Sequence, residues 1–433
     1  MAKPATHVLG IDLGSRYIKI VELRRQGDGI ALDSWPVILP TPAGSIDGGQ
    51  VVDSNQVADA LKEACRVHRF GTKKVILDVA GDPMVIVRVA EMAKLSGRDL
   101  KDAVEFEIGR HSQFPIDELV YDFAIIEHPD APPEAENMEV LLAAAHEEAV
   151  NSAVKAVMDA RLRPVGVDVI PLAVARSAVL SVGPEATEKT ICCVHIGATS
   201  TLIVMVRKGL PNFVRFLPTG GDGLTEAVRN AGIADEEAAE RVKRAFADLS
   251  LLAGYEAPPG EYETVFEVSD TSAEETLPAE GDEATLLDVE VPEEALEPPE
   301  GPEAPAAGEQ EEKPAERSAE EQEVAERIAE ALEQPLVDLA TEIRRSVEFY
   351  RRQHRNEPVD VLVLSGGSAL MKGIDDFMAA EVGVQAQLCN PFKTIAMLEN
   401  GEQAAYVAEV APALSAAVGL AARDLVEAVV PAG

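Results

Sequence analysis

The residues best suited to phosphate chemistry stand in a short loop near the start of the chain. Residues 10–19 read Gly-Ile-Asp-Leu-Gly-Ser-Arg-Tyr-Ile-Lys and follow an apolar pair. A glycine lets backbone N–H groups approach an anion, and a carboxylate at a strand end can hold a metal ion or its waters. The pattern predicts a phosphate-binding turn with Asp12 as metal ligand and with Gly14, Ser15 and Lys19 near the phosphates. An ordinary hairpin is the alternative.

A similar turn recurs in the second half of the chain, after an apolar strand. Its candidate ligand-binding residues are His195, Gly197, Ala198 and Thr199. Further glycine pairs follow at Gly220-Gly221 and at Gly366-Gly367, the latter directly after another apolar strand. Two phosphate turns in two halves predict one nucleotide-binding cleft between them.

A charged pair completes the set of candidate nucleotide contacts. Glu240 and Lys243 stand three residues apart on a predicted helix, where they face the same side. A solvated ion pair on the helix surface is the alternative to a contact with the nucleotide.

The order of these motifs resembles the actin/Hsp70/sugar-kinase fold, an α/β two-domain nucleotide-binding fold. The Glu240–Lys243 pair resembles the adenosine-contacting pair of its Hsp70-like members. A closer resemblance is to the PilM family of type IV pilus assembly, which is itself similar to FtsA. The matching stretches are Leu9–Leu23, Val165–Val179, Phe216–Gly223, Val361–Gly373, Asn390–Phe392, Ala411–Leu414 and Val418–Ala421.

The resemblance implies that the protein binds ATP and Mg2+ and acts as an adaptor at the inner membrane. The implied partner is the N-terminal cytoplasmic tail of a PilN-like protein, in a groove beside an FtsA-like 1C subdomain, with other pilus inner-membrane proteins nearby. The candidate groove residues are Val85, Val87, Phe114 and Tyr121, with plain core positions as the alternative. Most relatives have Asp where this chain has His195, so we expect slow or absent hydrolysis.

The resemblance also divides the chain into domains. We expect a first domain over residues 5–83, completed by residues 164–189 and by a return helix over 404–429. The 1C subdomain is predicted over 84–163, and the second domain over 190–254 and 321–403. In the second domain, the pattern from Ala319 to Arg352 predicts a helix broken or kinked at Pro335.

Residues 255–320 are predicted to form a disordered acidic insertion. Between Glu256 and Glu326 there are 25 acidic residues, two basic residues and nine prolines. Such a segment buries too little apolar surface to offset the entropy lost on ordering. It carries most of the formal net charge of −38.

Charge and composition limit the functions that the chain can have. A net charge of −38 argues against nucleic-acid binding and against adhesion to anionic lipid. No signal peptide and no run of about 18 apolar residues is apparent, so we expect a cytoplasmic protein without direct membrane insertion. The four cysteines and seven histidines form no motif with metal-ligand spacing, which predicts no structural zinc site.

Two other functions are compatible with the same fold. A sugar or acetate kinase would need a carboxylate base beside the transferred phosphate, and no convincing base follows the second turn. A filament-forming membrane tether similar to FtsA would need a basic amphipathic helix at its C-terminal end. The last predicted helix has no basic face, so the adaptor is the preferred hypothesis.

Overall fold

A computed structural model describes residues 6–27, 29–81, 84–126, 136–235, 238–252, 317–397 and 401–425. Nearly all of the predicted acidic insertion lies outside these residues, as does the end of the predicted return helix. The described residues form two larger sheets, a three-stranded sheet and a short two-stranded ribbon. The fold is α/β, as predicted.

The first sheet contains the first predicted phosphate turn. Its strands run in the order β11-β7-β1-β2-β3, with β4 also paired to β2. The strands are β1 (His7–Leu13), β2 (Tyr17–Gln26), β3 (Gly29–Leu32), β4 (Val37–Pro40), β7 (Lys74–Val79) and β11 (Arg163–Val169). The ribbon comprises β5 (Ile46–Asp47) and β6 (Gln50–Val51). β2 is central to this part of the sheet, because β1, β3 and β4 all pair with it.

Three helices pack against this sheet or follow its strands: α1 (Ser54–His68), α4 (Ile170–Val182) and α9 (Gly401–Ala422). Asp53 begins α1, where its carboxylate accepts the backbone N–H groups of Asn55 and Gln56. Buried side chains of α9 pack with those of β1 and β2 in one apolar cluster. Helix α9 therefore packs on the first sheet.

Helix α9 is also apolar enough, over Gln403–Ala422, to meet the length and hydropathy criteria for a membrane span. Glu409 interrupts its apolar run, which is why a search for uninterrupted apolar residues misses it. In the structure 72% of this stretch is buried. The side chains of Val407, Leu414 and Val418 are fully covered. Burial of this extent is typical of a core helix.

The three-stranded sheet lies between β7 and β11 in the chain and has the order β8-β10-β9. It consists of β8 (Val85–Ala93), β9 (Leu119–Ile126) and β10 (Asn137–His146), with α2 (Gly97–His111) and α3 (Glu147–Asp159). Helix α2 covers one face, and the other face joins the core of the first sheet. Because β9 pairs only with β10 among the described strands, β9 is an edge strand.

The second sheet repeats the arrangement around the first turn. Its order is β14-β13-β12-β15-β16, and β12 pairs antiparallel with β13 and parallel with β15. In the first sheet β1 pairs in the same two ways with β2 and β7. The strands are β12 (Thr190–Ile196), β13 (Thr201–Arg207), β14 (Leu210–Leu217), β15 (Val361–Ser365) and β16 (Ala386–Leu388). The two turns thus occupy equivalent places in two related sheets.

The helices of this half are α5 (Gly221–Asn230), α6 (Ala239–Phe246), α7 (Ala319–Gln353) and α8 (Ile374–Val382). A capping box formed by Ser318 and Glu321 begins α7. The predicted break at Pro335 is wrong, because α7 is continuous through that residue. Leu332, Leu336 and Leu339 are buried around Pro335, so packing holds the helix together where one backbone hydrogen bond is lost.

Candidate functional site

The first turn joins β1 to β2 and places a carboxylate beside an ammonium group. Asp12 is almost fully buried, and its Oδ2 lies 2.9 Å from the Lys19 Nζ on the facing strand. A Cβ at Gly14 would lie 2.7 Å from the Tyr17 carbonyl oxygen, so only glycine fits this turn. The backbone here can approach a phosphate, and the Asp12 carboxylate lies beside that position.

A second carboxylate, Asp78 at the end of β7, supports the first turn. Its Oδ1 accepts a hydrogen bond from the Leu13 N–H at 2.9 Å. Burial, together with the nearby Asp12 carboxylate, raises the pKa of Asp78 to about 8. The other oxygen, Oδ2, is buried and has no hydrogen-bond partner among the described residues. Sequence analysis did not identify Asp78, because its position beside Asp12 depends on the parallel pairing of β7 with β1.

The second turn joins β12 to β13 and lies directly against the start of α5. The backbone N–H groups of Gly221 and Asp222 donate to the carbonyls of Gly197 and Ala198, both at 2.8 Å. A Cβ at Gly220 would lie 2.6 Å from the Ala198 carbonyl oxygen. Glycine at position 220 is therefore a packing requirement, because two backbone segments touch there.

The turn after β15 packs against the end of β12, next to the second turn. Gly366 has a φ of 91°, and a Cβ on it would lie 2.2 Å from the Ile196 carbonyl oxygen. Its N–H donates to the Pro412 carbonyl on α9 at 2.8 Å. Gly367 has open space at its Cβ position and lines the cleft. Of this glycine pair, Gly366 fixes the backbone and Gly367 leaves room for a ligand.

His195 lies in β12, just before the second turn, and is buried. Its Nδ1 is 3.0 Å from the Ser365 Oγ and 3.5 Å from the Ser415 Oγ. Burial lowers the pKa of His195 to about 4, against the opposing effect of the Asp12 carboxylate. The imidazole is therefore neutral at neutral pH and adds no fixed charge to the cleft.

Glu240 and Lys243 form a buried pair rather than a solvated one. The Lys243 Nζ lies 2.7 Å from the Glu240 Oε2 and donates to the Gly221 carbonyl and the Thr225 Oγ1 at 2.8 Å. Burial lowers the pKa of Lys243. Burial alone would raise the pKa of Glu240, but the charge of Lys243 and the hydrogen bonds from Lys243 and Thr225 outweigh it, so the pKa of Glu240 is lowered. The pair connects α6 to the start of α5.

These elements enclose a cleft of about 520 Å³. Twelve of the predicted nucleotide contacts line it, and Gly220 and Gly366 lie in the turns beneath it. The twelve are Asp12, Gly14, Ser15, Lys19, His195, Gly197, Ala198, Thr199, Gly221, Glu240, Lys243 and Gly367. Residues of α9, including Tyr406 and Glu409, add a wall that sequence analysis missed.

Two contacts connect the first turn to the second half across the cleft. The Arg16 Nε lies 2.6 Å from the Asp222 Oδ1. The Arg244 guanidinium lies 5.0 Å from the centre of the Tyr17 ring and also donates to the Tyr17 hydroxyl. Arg16 lies in the β1–β2 turn and Tyr17 begins β2, whereas Asp222 and Arg244 belong to α5 and α6. These contacts bridge the two sides of the cleft.

A second concavity, of about 260 Å³, lies between β9 and β11 and is called here the strand groove. Residues 120–124 of β9 form one wall, and residues 167–169 of β11 form the other. β11 is the edge of the first sheet, as β9 is the edge of the three-stranded sheet. Beneath them, Asp168 and Arg176 form a buried ion pair at 3.0 Å. The strand groove therefore has strand edges on both sides.

One of the four predicted partner contacts, Tyr121, lines the strand groove. The Tyr121 ring packs in the apolar cluster between the three-stranded sheet and α2, and its hydroxyl donates to Glu105. Val85 and Val87 are buried in the core shared with Val214 of β14, and they do not line the groove.

The fourth candidate, Phe114, packs against the His146 ring at 4.4 Å. Side chains of successive residues in a strand point to opposite faces. Because the Tyr121 side chain packs towards α2, the side chains of Val120 and Asp122 point towards the groove. Neither residue was identified from the sequence.

Two related sheets with phosphate-type turns around a common cleft define the actin-like class of nucleotide-binding folds. The chain belongs to the family of type IV pilus assembly protein PilM, whose model matches residues 10–250 and 308–425. The sequence-based assignment to this family is confirmed.

Solved structures of other proteins are similar to this chain. A chain of the PilM–PilN type IV pilus biogenesis complex is 26% identical, with a TM-score of 0.70, covering 98% of this chain and 99% of that one. The ethanolamine utilization protein EutJ of Carboxydothermus hydrogenoformans is 14% identical, with a TM-score of 0.49, covering 97% of this chain and 90% of EutJ.

Proposed function

We propose that the cleft binds ATP with Mg2+. Its volume is within the range of small-molecule sites, and two glycine turns, one in each half, line it. Asp12 would hold the metal ion or its waters. The neighbouring Asp78 carboxylate has an oxygen, Oδ2, without a hydrogen-bond partner among the described residues. Lys19 and the backbone of residues 14–15 and 197–199 would contact the phosphates.

Calorimetry with Mg-ATP tests this proposal. Asp12→Ala should weaken binding about tenfold or more, which is about 1.4 kcal/mol, because a metal contact is lost. Asp159→Ala, which removes a lysine-paired carboxylate that does not line the cleft, is the matched control. Equal affinities of the parent and Asp12→Ala would remove Asp12 from the site.

The neutral His195 supports a nucleotide that is bound but turned over slowly. A neutral imidazole provides one acceptor and no negative charge, so it positions the waters of a magnesium ion poorly. ATP would then serve to fix the two halves in the closed arrangement that the contacts from Arg16 and Arg244 already favour. Phosphate release at about 1 per second or faster, as in ordinary kinases, would contradict this.

We further propose that the protein is an adaptor that binds the N-terminal cytoplasmic tail of a PilN-like protein. The observation that carries this proposal is the strand groove, whose β9 wall is a sheet edge beside a concavity. An extended peptide can add to such an edge through main-chain hydrogen bonds and place alternate side chains in small pockets. This occupant would locate the protein at the inner membrane, next to other pilus proteins, through its partner.

The two walls of the groove are not equivalent as docking edges. On β11, the Val167 carbonyl already accepts a hydrogen bond from Arg423 at 2.9 Å. The same guanidinium covers Gly166, where a Cβ would lie 2.8 Å from it. We therefore assign the peptide backbone to the β9 edge, with its side chains directed towards β11.

A synthetic peptide of the tail encoded by the neighbouring open reading frame provides the test. Because a ligand that binds only the folded state stabilises it by mass action, the melting temperature should rise with peptide concentration. A scrambled peptide of the same composition should cause no shift. An unchanged melting temperature at saturating peptide would refute the adaptor proposal.

A further inference from the structure

Three ionisable side chains that are distant in sequence meet at the far end of the first sheet. His7 begins β1, Glu22 lies in β2, and Asp33 follows β3. The His7 Nε2 is 2.9 Å from the Glu22 Oε1 and 3.1 Å from the Asp33 Oδ2. Six residues of β1, roughly 20 Å, separate this cluster from Leu13 at the cleft.

Strand pairing explains how residues 7, 22 and 33 come together. His7 pairs with Arg24, which puts Glu22 diagonally across the β1–β2 ladder. The Asp33 N–H donates to the Glu22 carbonyl at 2.9 Å, which continues the β2–β3 ladder. The expectation of no structural metal site considered spacing along the chain, and this cluster depends on spacing across a sheet.

Two atoms in the cluster are buried without a hydrogen bond. The His7 Nε2 contacts both carboxylates but has hydrogen-bond geometry to no described residue. The Glu22 Oε2 also has no hydrogen-bond partner among the described residues, and water cannot replace one easily because the Glu22 side chain is only 1% exposed. An unpaired buried carboxylate oxygen is costly, and a cation between the three side chains would satisfy both atoms.

The surrounding groups hold the two carboxylates in place. The Thr72 N–H donates to the Glu22 Oε1 at 3.0 Å, and the Arg24 Nε lies 2.5 Å from the Asp33 Oδ1. This leaves the Glu22 Oε2 and the Asp33 Oδ2 for a ligand. Gly71 closes one side, where a Cβ would lie 3.0 Å from the His7 ring. Such supporting contacts are typical of outer-shell groups around metal sites.

We propose that His7, Glu22 and Asp33 form a zinc site. One imidazole and two carboxylates are a ligand set that zinc accepts, with bonds of about 2.0–2.2 Å, and water would occupy the remaining position. His7 and Asp33 are 30% and 23% exposed, so an ion can enter from solvent. The bound ion would tie β1, β2 and the end of β3 together at the end of the sheet remote from the cleft.

Zinc titration of the full-length, tag-free protein in excess Mg2+ tests the proposal, with calorimetric detection. The parent should bind one equivalent of Zn2+, and both His7→Gln and Asp33→Asn should bind it at least tenfold more weakly. His111→Gln is the matched control, because His111 is similarly exposed and its Nε2 lies 3.1 Å from Glu107. The control should bind like the parent.

A thermal readout separates a metal site from a simple ion-pair cluster. At one Zn2+ concentration, the ion should raise the melting temperature of the parent and of His111→Gln equally, and that of Asp33→Asn clearly less. No stoichiometric Zn2+ binding by the parent, or equal binding by the parent and both cluster variants, would overturn the proposal. The parent titration alone decides the question if a variant does not fold.

Discussion

The cleft between the two larger sheets and the strand groove are built from different parts of the chain. The cleft depends on backbone approaching backbone, as where Gly220 meets the Ala198 carbonyl and Gly366 meets the Ile196 carbonyl. The groove depends on which face of a strand a side chain occupies, as for Val120 and Tyr121 on β9. The cleft therefore tolerates no added atom at Gly220 or Gly366, whereas the groove depends on the direction of side chains along β9.

The largest effect should come from adding a methyl group beneath the cleft. Gly366→Ala places a Cβ 2.2 Å from a carbonyl oxygen at a φ of 91°, so overlap and backbone strain together should lower the free energy of unfolding by about 3 kcal/mol or more. Gly367→Ala is the matched control, because nothing lies within 4 Å of its Cβ position. Urea denaturation measures both, and similar midpoints would disprove the backbone contact.

A smaller effect concerns acid stability and His195. Burial lowers the pKa of this group from 6.5 to about 4, so the folded state binds fewer protons than the unfolded state between these values. Its contribution to stability is present above pH 6.5 and is lost as the pH falls towards 4, by up to about 3 kcal/mol.

His195→Gln should therefore lose less stability than the parent between pH 6.5 and pH 4. Chemical denaturation across this range gives the difference. Parallel pH profiles for the parent and the variant would show that His195 is not held neutral by burial.

The smallest effect on stability is expected at the contacts that cross the cleft. Arg244→Leu removes the Tyr17 contact, and exposed ion pairs and cation–π contacts each contribute about 1 kcal/mol or less. The same variant should release nucleotide faster, because the cleft opens more easily. Stopped-flow release of a fluorescent ATP analogue measures this, with Arg241→Leu on the same helix as control. Equal release rates would remove Arg244 from the closure of the cleft.

The difference between backbone contacts in the cleft and side-chain directions in the groove explains which features the sequence could predict. The glycines at positions 14, 197 and 220 are a signal in the sequence itself, because a Cβ at these positions would lie only 2.6–3.0 Å from a backbone carbonyl oxygen. All fourteen predicted nucleotide contacts lie in or directly beneath one cleft. Asp78 was missed because its role depends on a parallel pairing with β1 that leaves no local pattern.

The strand groove and the cluster of His7, Glu22 and Asp33 could not be predicted for a related reason. The choice between Val120 and Tyr121 depends on which face of β9 packs against α2, and both alternate sets contain apolar residues. His7, Glu22 and Asp33 are brought together by the registers of two strand pairs, and no spacing along the chain encodes those registers. The domain boundaries proposed from the family resemblance stay a prediction.

The most direct test of the adaptor proposal is a fluorescence anisotropy titration of the nucleotide-loaded protein with the labelled PilN-like tail peptide. Val120→Asp and Ile125→Asp put the same charge on the same strand at sites of similar exposure, 49% and 45%, but only Val120 lines the groove. The account predicts saturable binding by the parent and by Ile125→Asp, and at least tenfold weaker binding by Val120→Asp. Binding of equal strength by all three proteins, or no binding by the parent, would contradict it.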